Sequence, residues 1–302
     1  MSSSRTPLVF ITGASSGMGQ ALARRYHDAG WRLALVARRQ QTMADWVQQQ
    51  GLDPARITLH AADVTQPDSV IAAAHACMAS QGVPDVVIAN AGISHGMDSS
   101  ERADLDVMQQ ILATNVLGMA ATFQAFIRPM RERGSGSLVG IASVAGIRGL
   151  PGHGAYCSSK AAALTYCESL RGELHGSGVR VVTLLPGYIA TPMTAGDHFS
   201  LPFLLSADQF AERAQRAIAA GASYRVIPWQ MGVVAKLLRL LPNAVFDRLF
   251  AGRPRKPRLT PRPLTGVVAP ADPVAPGTPD VPAASCADPD TPGHHPAPPS
   301  TP

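Results

Sequence analysis

Leu8-Val9-Phe10-Ile11-Thr12-Gly13-Ala14-Ser15-Ser16-Gly17-Met18-Gly19 decides the fold. Four consecutive apolar residues, Leu8 to Ile11, are too few for a helix and read as a buried strand. Thr12 to Gly19 is a glycine-rich turn, T-G-x-x-x-G-x-G, and residues 17–29 follow as a helix that stops at Gly30. Strand, glycine-rich turn and helix together form a phosphate cradle. Glycines let the backbone approach a pyrophosphate, and the first N–H groups and dipole of the helix favour its negative charge. Gly13, Ser15, Ser16, Gly17, Met18 and Gly19 are therefore candidate cofactor-binding positions. The spacing departs from G-x-G-x-x-G, so a purely structural strand–helix turn remains the competing reading.

Outward from this unit the pattern repeats. Leu33–Val36, Ile57–Leu59, Val86–Ile88, Leu138–Ile141, Val179–Leu185 and Tyr224–Ile227 read as further strands. Helices are expected over 68–81, with Asp68 as N-cap after Pro67, and over 104–132 and 154–175. Short, continuously apolar strands separated by helices predict an α/β fold: a doubly wound parallel sheet in a Rossmann-type three-layer sandwich, built as a single domain.

The end of the second strand carries the cofactor discriminator. An acid there accepts the ribose hydroxyl of NAD. This chain has Ala37 and then Arg38 and Arg39, whose guanidinium groups match a 2′-phosphate, so NADP(H) is the expected cofactor. Asp63 follows the third strand and is placed to accept from an adenine amino group. Asn90-Ala91-Gly92 follows the fourth, where small residues permit close backbone approach. Turn chemistry alone is the competing reading for each.

Tyr156 and Lys160 stand four apart on a predicted helix and share a face, thirteen residues after Ser143. An ammonium beside a phenol lowers its pKa from about 10 toward the working pH, which suits general acid–base chemistry. Ser143 ends the fifth strand, at the sheet edge where open α/β folds place ligands.

Taken in order, Thr12-Gly13 through Gly19, Asp63, Asn90-Ala91-Gly92, Asn115, Ser143, Tyr156 with Lys160, and Pro186-Gly187 with Thr191 resemble the short-chain dehydrogenase/reductase family over residues 7–230. The resemblance implies a nicotinamide cofactor and interconversion of a carbonyl and an alcohol. It implies that Tyr156 exchanges the proton, that Ser143 steadies the substrate oxygen and that Lys160 also holds the nicotinamide ribose. Asn115 would anchor a water linking Lys160 to solvent; a helix-surface amide is the alternative. The backbone of Pro186, Gly187 and Ile189 would contact the nicotinamide amide, and Thr191 would hydrogen-bond that amide or the diphosphate; a strand-ending turn is the competing reading. Family members commonly form homodimers or homotetramers, here through 104–132 and 154–175. A non-catalytic NADPH-sensing or scaffolding protein on this fold is the competing reading, disfavoured by the intact Ser143, Tyr156 and Lys160 set.

Composition bounds the rest. The 302 residues are 46% hydrophobic, enough for a sizeable core, and the net charge of +5 is mild. Cys77, Cys157, Cys167 and Cys286 form no C-x-x-C pair, so no metal site is expected and a cytoplasmic, reducing compartment is. Neither a signal sequence nor a membrane-spanning helix is expected. Pro192 to Leu205, with Phe199, Leu201, Phe203, Leu204 and Leu205, lines a pocket for an apolar small-molecule carbonyl or alcohol, or packs as a lid on its own body. The expected division is a catalytic domain over 1–230, an amphipathic extension over 231–252 broken by Pro242, and a disordered tail over 253–302 that holds fifteen of the 26 prolines. The extension and the basic run to 262 either meet a membrane surface or dock on the domain or a neighbouring subunit. Nucleic-acid binding is not expected, since no aromatics interleave Arg253, Arg255, Lys256, Arg258 and Arg262.

Overall fold

The first strand, β1 (Leu8–Thr12), is buried at all five positions, because helices cover both faces of the sheet it centres. Alternate side chains feed two separate cores. Val9 and Ile11 join Leu33 and Leu35 in one, and Leu8 and Phe10 join Ala34 and Val36 in the other. That division follows from the period of two along a strand. Each of these side chains larger than alanine contributes about 1.5–3 kcal/mol when fully buried. The computed structural model describes residues 5–195, 201–252 and 256–259, all within one unit, Met1–Pro261.

Seven parallel strands form the sheet. Beyond β1 they are β2 (Arg32–Ala37), β3 (Ile57–Ala61), β4 (Val86–Ala89), β5 (Gly136–Ile141), β6 (Val179–Pro186) and β9 (Tyr224–Ile227), in the order β3-β2-β1-β4-β5-β6-β9. A two-residue pair, β7 (Ile189–Ala190) with β8 (Leu205–Ser206), lies outside it. All seven expected strands are present, six of them longer by one or two residues and Tyr224–Ile227 as expected. The chain reverses its direction of travel between β1 and β4, so a crevice opens beyond their carboxyl ends, where ligands bind in open α/β sheets.

On one face lie α1 (Gly17–Asp28), α2 (Gln40–Gln49) and α7 (Ala207–Ala219); on the other lie α3 (Pro67–Gln81), α5 (Gly118–Arg133) and α6 (Gly154–Glu173). Three expectations change. Asp68 is not the cap of α3: Gln66 is, and Pro67 takes the first helical position that suits its missing N–H. The helix expected over 104–132 is α4 (Ala103–Leu112) and α5 joined by one π turn, Ala113–Leu117. Helices α2 and α7 were not foreseen, although α7 carries a capping box: Ser206 accepts from the Gln209 amide and the Gln209 side chain accepts from the Ser206 amide. The α4–α5 rod, Ala103–Arg133, is long and apolar enough to cross a membrane, but 56% of its most apolar window is buried against the protein, as in a core helix.

The extension forms α8 (Trp229–Leu240) and α9 (Asn243–Phe250), and it docks. Arg148 donates to the carbonyls of Leu238 (2.6 Å), Arg239 (3.1 Å) and Leu241 (2.8 Å) and to Asn243 Oδ1 (3.0 Å). Its guanidinium also lies 4.0 Å from the Phe246 ring centroid. A cation on the orphan carbonyls at a helix C-terminus satisfies them and favours the dipole. Order does not end at 252 as expected: residues 256–259 lie on the body, with a parallel bridge between Gly96 and Arg258. Of the tail expected over 253–302, residues 253–255 and 260–302 lie outside the described residues.

Candidate active site

The ends of β1 and β4 are stitched together. Thr12 Oγ1 accepts from the amides of Asn90 (3.2 Å) and Ala91 (3.3 Å), and Asn90 Nδ2 donates to the carbonyls of Thr12 (3.0 Å) and Gly13 (3.2 Å). Gly13 has φ +68°, and a Cβ there would come within 2.7 Å of Ala91 Cα. A Cβ on Gly19 would collide with the Gly13 carbonyl, and one on Gly17, at φ +54°, would press on Thr191. The glycines therefore let three segments meet at one point. Ser16 caps α1 without a side-chain bond, which leaves the first N–H groups of that helix to a ligand. Asn90 Oδ1 is buried with no protein partner. An anionic dinucleotide fits this cradle: Cβ-free space, open donors and an orphaned amide oxygen converge there.

Arg38 and Arg39 follow β2 and are exposed, on the far side of the cradle from Tyr156. Asp63 spends Oδ1 on its own turn, accepting from Thr65 N (3.0 Å) and Thr65 Oγ1 (2.8 Å), while its amide donates to Ser69 Oγ (3.1 Å).

Beyond β5, Ser143 caps a single 3-10 turn, Val144–Gly146, and is buried. Its Oγ accepts from the Ala145 amide at 3.2 Å and keeps its own proton to donate. That turn seats on α6 because Gly146 lacks a side chain: a Cβ there would lie 2.7 Å from the backbone of Lys160. Lys160 is buried. Its Nζ donates to the Ile141 carbonyl at 2.8 Å and lies 5.8 Å from the centroid of the half-buried Tyr156 ring. Loss of water lowers the lysine from 10.5 to about 8. At pH 7 the charged form is still the favoured one.

Asn115 lies in the π turn and is buried, so the surface-amide alternative fails. Oδ1 accepts from Ile93 N (2.9 Å); Nδ2 donates to Ile93 O (3.0 Å) and to Ser159 Oγ (2.9 Å). It thereby ties the β4 exit to the turn of α6 that carries Lys160. Gly92 lies between them, and its Cβ would come 3.3 Å from Asn115 Oδ1 and 3.5 Å from Lys160 Nζ. The structure thus gathers Gly92, Asn115, Ser143, Tyr156 and Lys160 into one cluster.

After β6, the Gly187 amide donates to Ile227 O at 2.8 Å, and its Cβ would meet Met231 at 2.6 Å. Ile189 is buried, and the Thr191 amide donates to Thr194 Oγ1 at 3.1 Å, which folds 189–195 back beside Gly17. Pro186 ends β6 in the same place. Met18 is half-buried against the core, and Ser15 lies half-exposed in the glycine turn. Phe203 and Leu204 are exposed while Leu205 is buried in β8; Phe199 lies outside the described residues. Cys157 is buried, which pushes its thiol up and leaves it unreactive.

Sequence reasoning missed Thr12 as a clamp and Ser159 as a support. Thr12 is legible as a hydroxyl at a strand end; Ser159 has no sequence signal, because its partner is 44 residues away.

The profile of the family described as short chain dehydrogenase matches residues 7–198. The chain belongs to that family. A Myxococcus xanthus protein named "Uncharacterized oxidoreductase" is 40% identical over 246 residues, covering 80% of this chain and 95% of its own. The Bos taurus "Dehydrogenase/reductase SDR family member 7B" is 31% identical over 277 residues, covering 84% and 83%. Two solved short-chain dehydrogenases share the fold at TM-score 0.70. One, from Burkholderia cenocepacia in complex with NADP, is 24% identical and covers 81% of this chain and 98% of its own. The other, from Burkholderia phymatum in complex with NAD, is 22% identical and covers 85% and 99%.

The buried ammonium has a pH signature. Between pH 8 and 10.5 the unfolded chain holds the Lys160 proton and the folded one releases it, so stability rises with pH across that window. Comparing urea midpoints of the cofactor-free wild type and Lys160→Met cancels the other titrating groups. The difference shifts by roughly 3 kcal/mol in favour of the wild type between those pH values; a flat difference contradicts a buried charge.

Proposed function

We propose that this chain is an NADP(H)-dependent oxidoreductase that interconverts a carbonyl and an alcohol, with Tyr156 as the general acid–base. The observation that carries this reading is the Lys160 ammonium, held between the Ile141 carbonyl and the Tyr156 ring beside the Ser143 turn. In reduction, NADPH held in the glycine cradle would supply the hydride. Tyr156 then gives its phenolic proton to the substrate oxygen, while the Ser143 hydroxyl donates a hydrogen bond to the same oxygen. The phenolate left behind is stabilised by the Lys160 charge, and oxidation runs the transfer backwards. Asn115 holds Ile93 and Ser159, and so keeps the lysine in place. It also supports a proton path toward solvent. An NADPH sensor or scaffold needs none of this buried machinery.

Preference for NADP(H) rests on the two exposed guanidinium groups at 38 and 39, which pair with a 2′-phosphate. Asp63 Oδ2 serves the adenine, and Pro186, Gly187, Ile189 and Thr191 serve the nicotinamide end. Phe203 and Leu204, exposed at 49% and 47%, favour an apolar substrate. Two copies pair through α4–α5 and α6, where Leu105 and Leu117 are exposed.

One outer face fits an anionic bilayer. On α8, Trp229, Val233, Leu237 and Leu240 fall on one side and are 68%, 48%, 59% and 80% exposed, while Met231 and Ala235 are buried against the body. Exposed Lys236 and Arg239 border this stripe, and Trp229–Leu240 contains no acid. Anionic headgroups complement Lys236 and Arg239.

Three measurements test these readings. Tyr156→Phe lowers kcat by about 10²–10⁴-fold and leaves NADPH affinity within about twofold; full turnover overturns the mechanism. Arg38→Asp with Arg39→Asp reverses the NADPH-over-NADH preference in titrations, and unchanged selectivity removes the phosphate contact. The full chain floats with phosphatidylserine vesicles and not with phosphatidylcholine alone, and Leu240→Glu abolishes flotation. Sedimentation showing instead that Leu240→Glu only dissociates a dimer assigns the face to a second copy.

A further inference from the structure

Beyond α9 the chain returns to the carboxyl edge of the sheet, and residues 256–259 are held there by three different means. The first is charge. Arg258 Nε and Nη2 donate to Asp104 Oδ2 (2.8 Å) and Oδ1 (3.2 Å), and the Asp104 side chain is 0% exposed. The Asp98 amide donates to the same carboxylate at 2.6 Å. A carboxylate withdrawn from water needs a cation, and this one gets it from 154 residues away. The second is space. A Cβ on Gly96 would strike the Lys256 carbonyl, so the strap passes only because position 96 is glycine. The Gly96 amide also donates to Pro257 O at 3.1 Å. The third is a hydrogen bond across the opening: Lys256 Nζ donates to Met193 O at 2.8 Å.

These anchors straddle the approach to Tyr156. At one end the Met97 amide donates to Gly152 O at 3.0 Å, and Met97 Sδ accepts from the Ala155 amide, the residue next to the tyrosine. At the other, Met193 follows Thr191 by two residues, on the segment that folds back beside the glycine loop. The strap thus joins the β4 exit loop to the β6 exit loop on the substrate side, away from Arg38, Arg39 and Asp63.

We infer that residues 256–259 wall the substrate entrance, so that Arg258 and Gly96 set which carbonyl compounds reach Tyr156 without acting on the proton or on cofactor affinity. The inference rests on the carbonyl–alcohol reading for its substrate, and the strap residues are positioning residues.

The experiment uses full-length wild type, Arg258→Ala, Gly96→Val and a chain ending at 252, each loaded with NADPH. Acrylamide quenching of the bound nicotinamide fluorescence reads access to the ring without turnover. KM and kcat over a panel of aldehydes and ketones of increasing size read selectivity. All three variants are expected to quench severalfold more readily, to raise KM by about tenfold and to flatten the size ranking, with kcat and NADPH Kd within about twofold. Arg258→Lys restores part of the wild-type ranking. Unchanged quenching in all three variants overturns the inference, as does a cofactor Kd that moves as far as KM. If the wild type turns over no carbonyl, the reading of function fails while quenching still decides for or against the wall.

Discussion

The Lys160 ammonium is taken out of water and given one carbonyl, that of Ile141, in return. Lowering its pKa to about 8 corresponds to roughly 3 kcal/mol of disfavoured charge, a large fraction of what a domain has to spare. The rest of the site follows from tolerating that. The carbonyl is available because β5 ends at Ile141 and turns into the 3-10 segment that begins at Ser143. The space exists because Gly92 and Gly146 carry no side chains. The helix bearing the lysine is held by Asn115 through Ser159. The reward is a positive charge in a region of low dielectric, aimed at a phenol one helical turn away.

The same economy of side chains builds the cradle. β1 and β4 are neighbours in the sheet but 74 residues apart in sequence at Thr12–Val86, and their exits would splay without the Thr12–Asn90 stitch. Once they are stitched, the glycine turn has to pass between Ala91 and Thr191, and any Cβ at Gly13 or Gly19 would block it. The glycine spacing therefore reports a packing requirement as much as a phosphate site, and here the two coincide.

The C-terminal additions are organised by two arginines in opposite ways. Arg148, from the segment after Ser143, reaches out and closes the end of α8. Arg258, from beyond α9, reaches in and neutralises Asp104. One brings an amphipathic helix onto the body with its apolar stripe outward; the other holds residues 256–259 against the β4 exit loop. The exposed apolar stripe of α8 and the Arg258–Asp104 anchor thus belong to the same stretch of chain.

Much of this was legible in the order of residues. Strand positions were plain because strands covered on both faces are continuously apolar, and the period of two then sorted Val9 from Phe10. Tyr156 with Lys160, and the glycine turn, were legible because their chemistry depends on local spacing along one helix or one turn. Helix α2 was missed because its buried residues, Met43 and Val47, are too few to raise a pattern. The π turn was hidden because nothing in Ala113–Leu117 differs locally from an ordinary helix; the extra residue per turn is imposed by where Asn115 must reach. The basic run after residue 252 was placed in a disordered tail, since a sequence shows a charge but not the buried carboxylate that claims it. What the sequence determined by itself was the strand–turn–helix unit and the shared helix face of Tyr156 and Lys160, both set by spacing within a few residues, and the parallel sheet, set by the continuously apolar strands that alternate with helices. Only the tertiary structure decided the Thr12–Asn90 stitch, the burial of Lys160 and the Arg258–Asp104 strap, because each joins groups whose separation along the chain hides their separation in space.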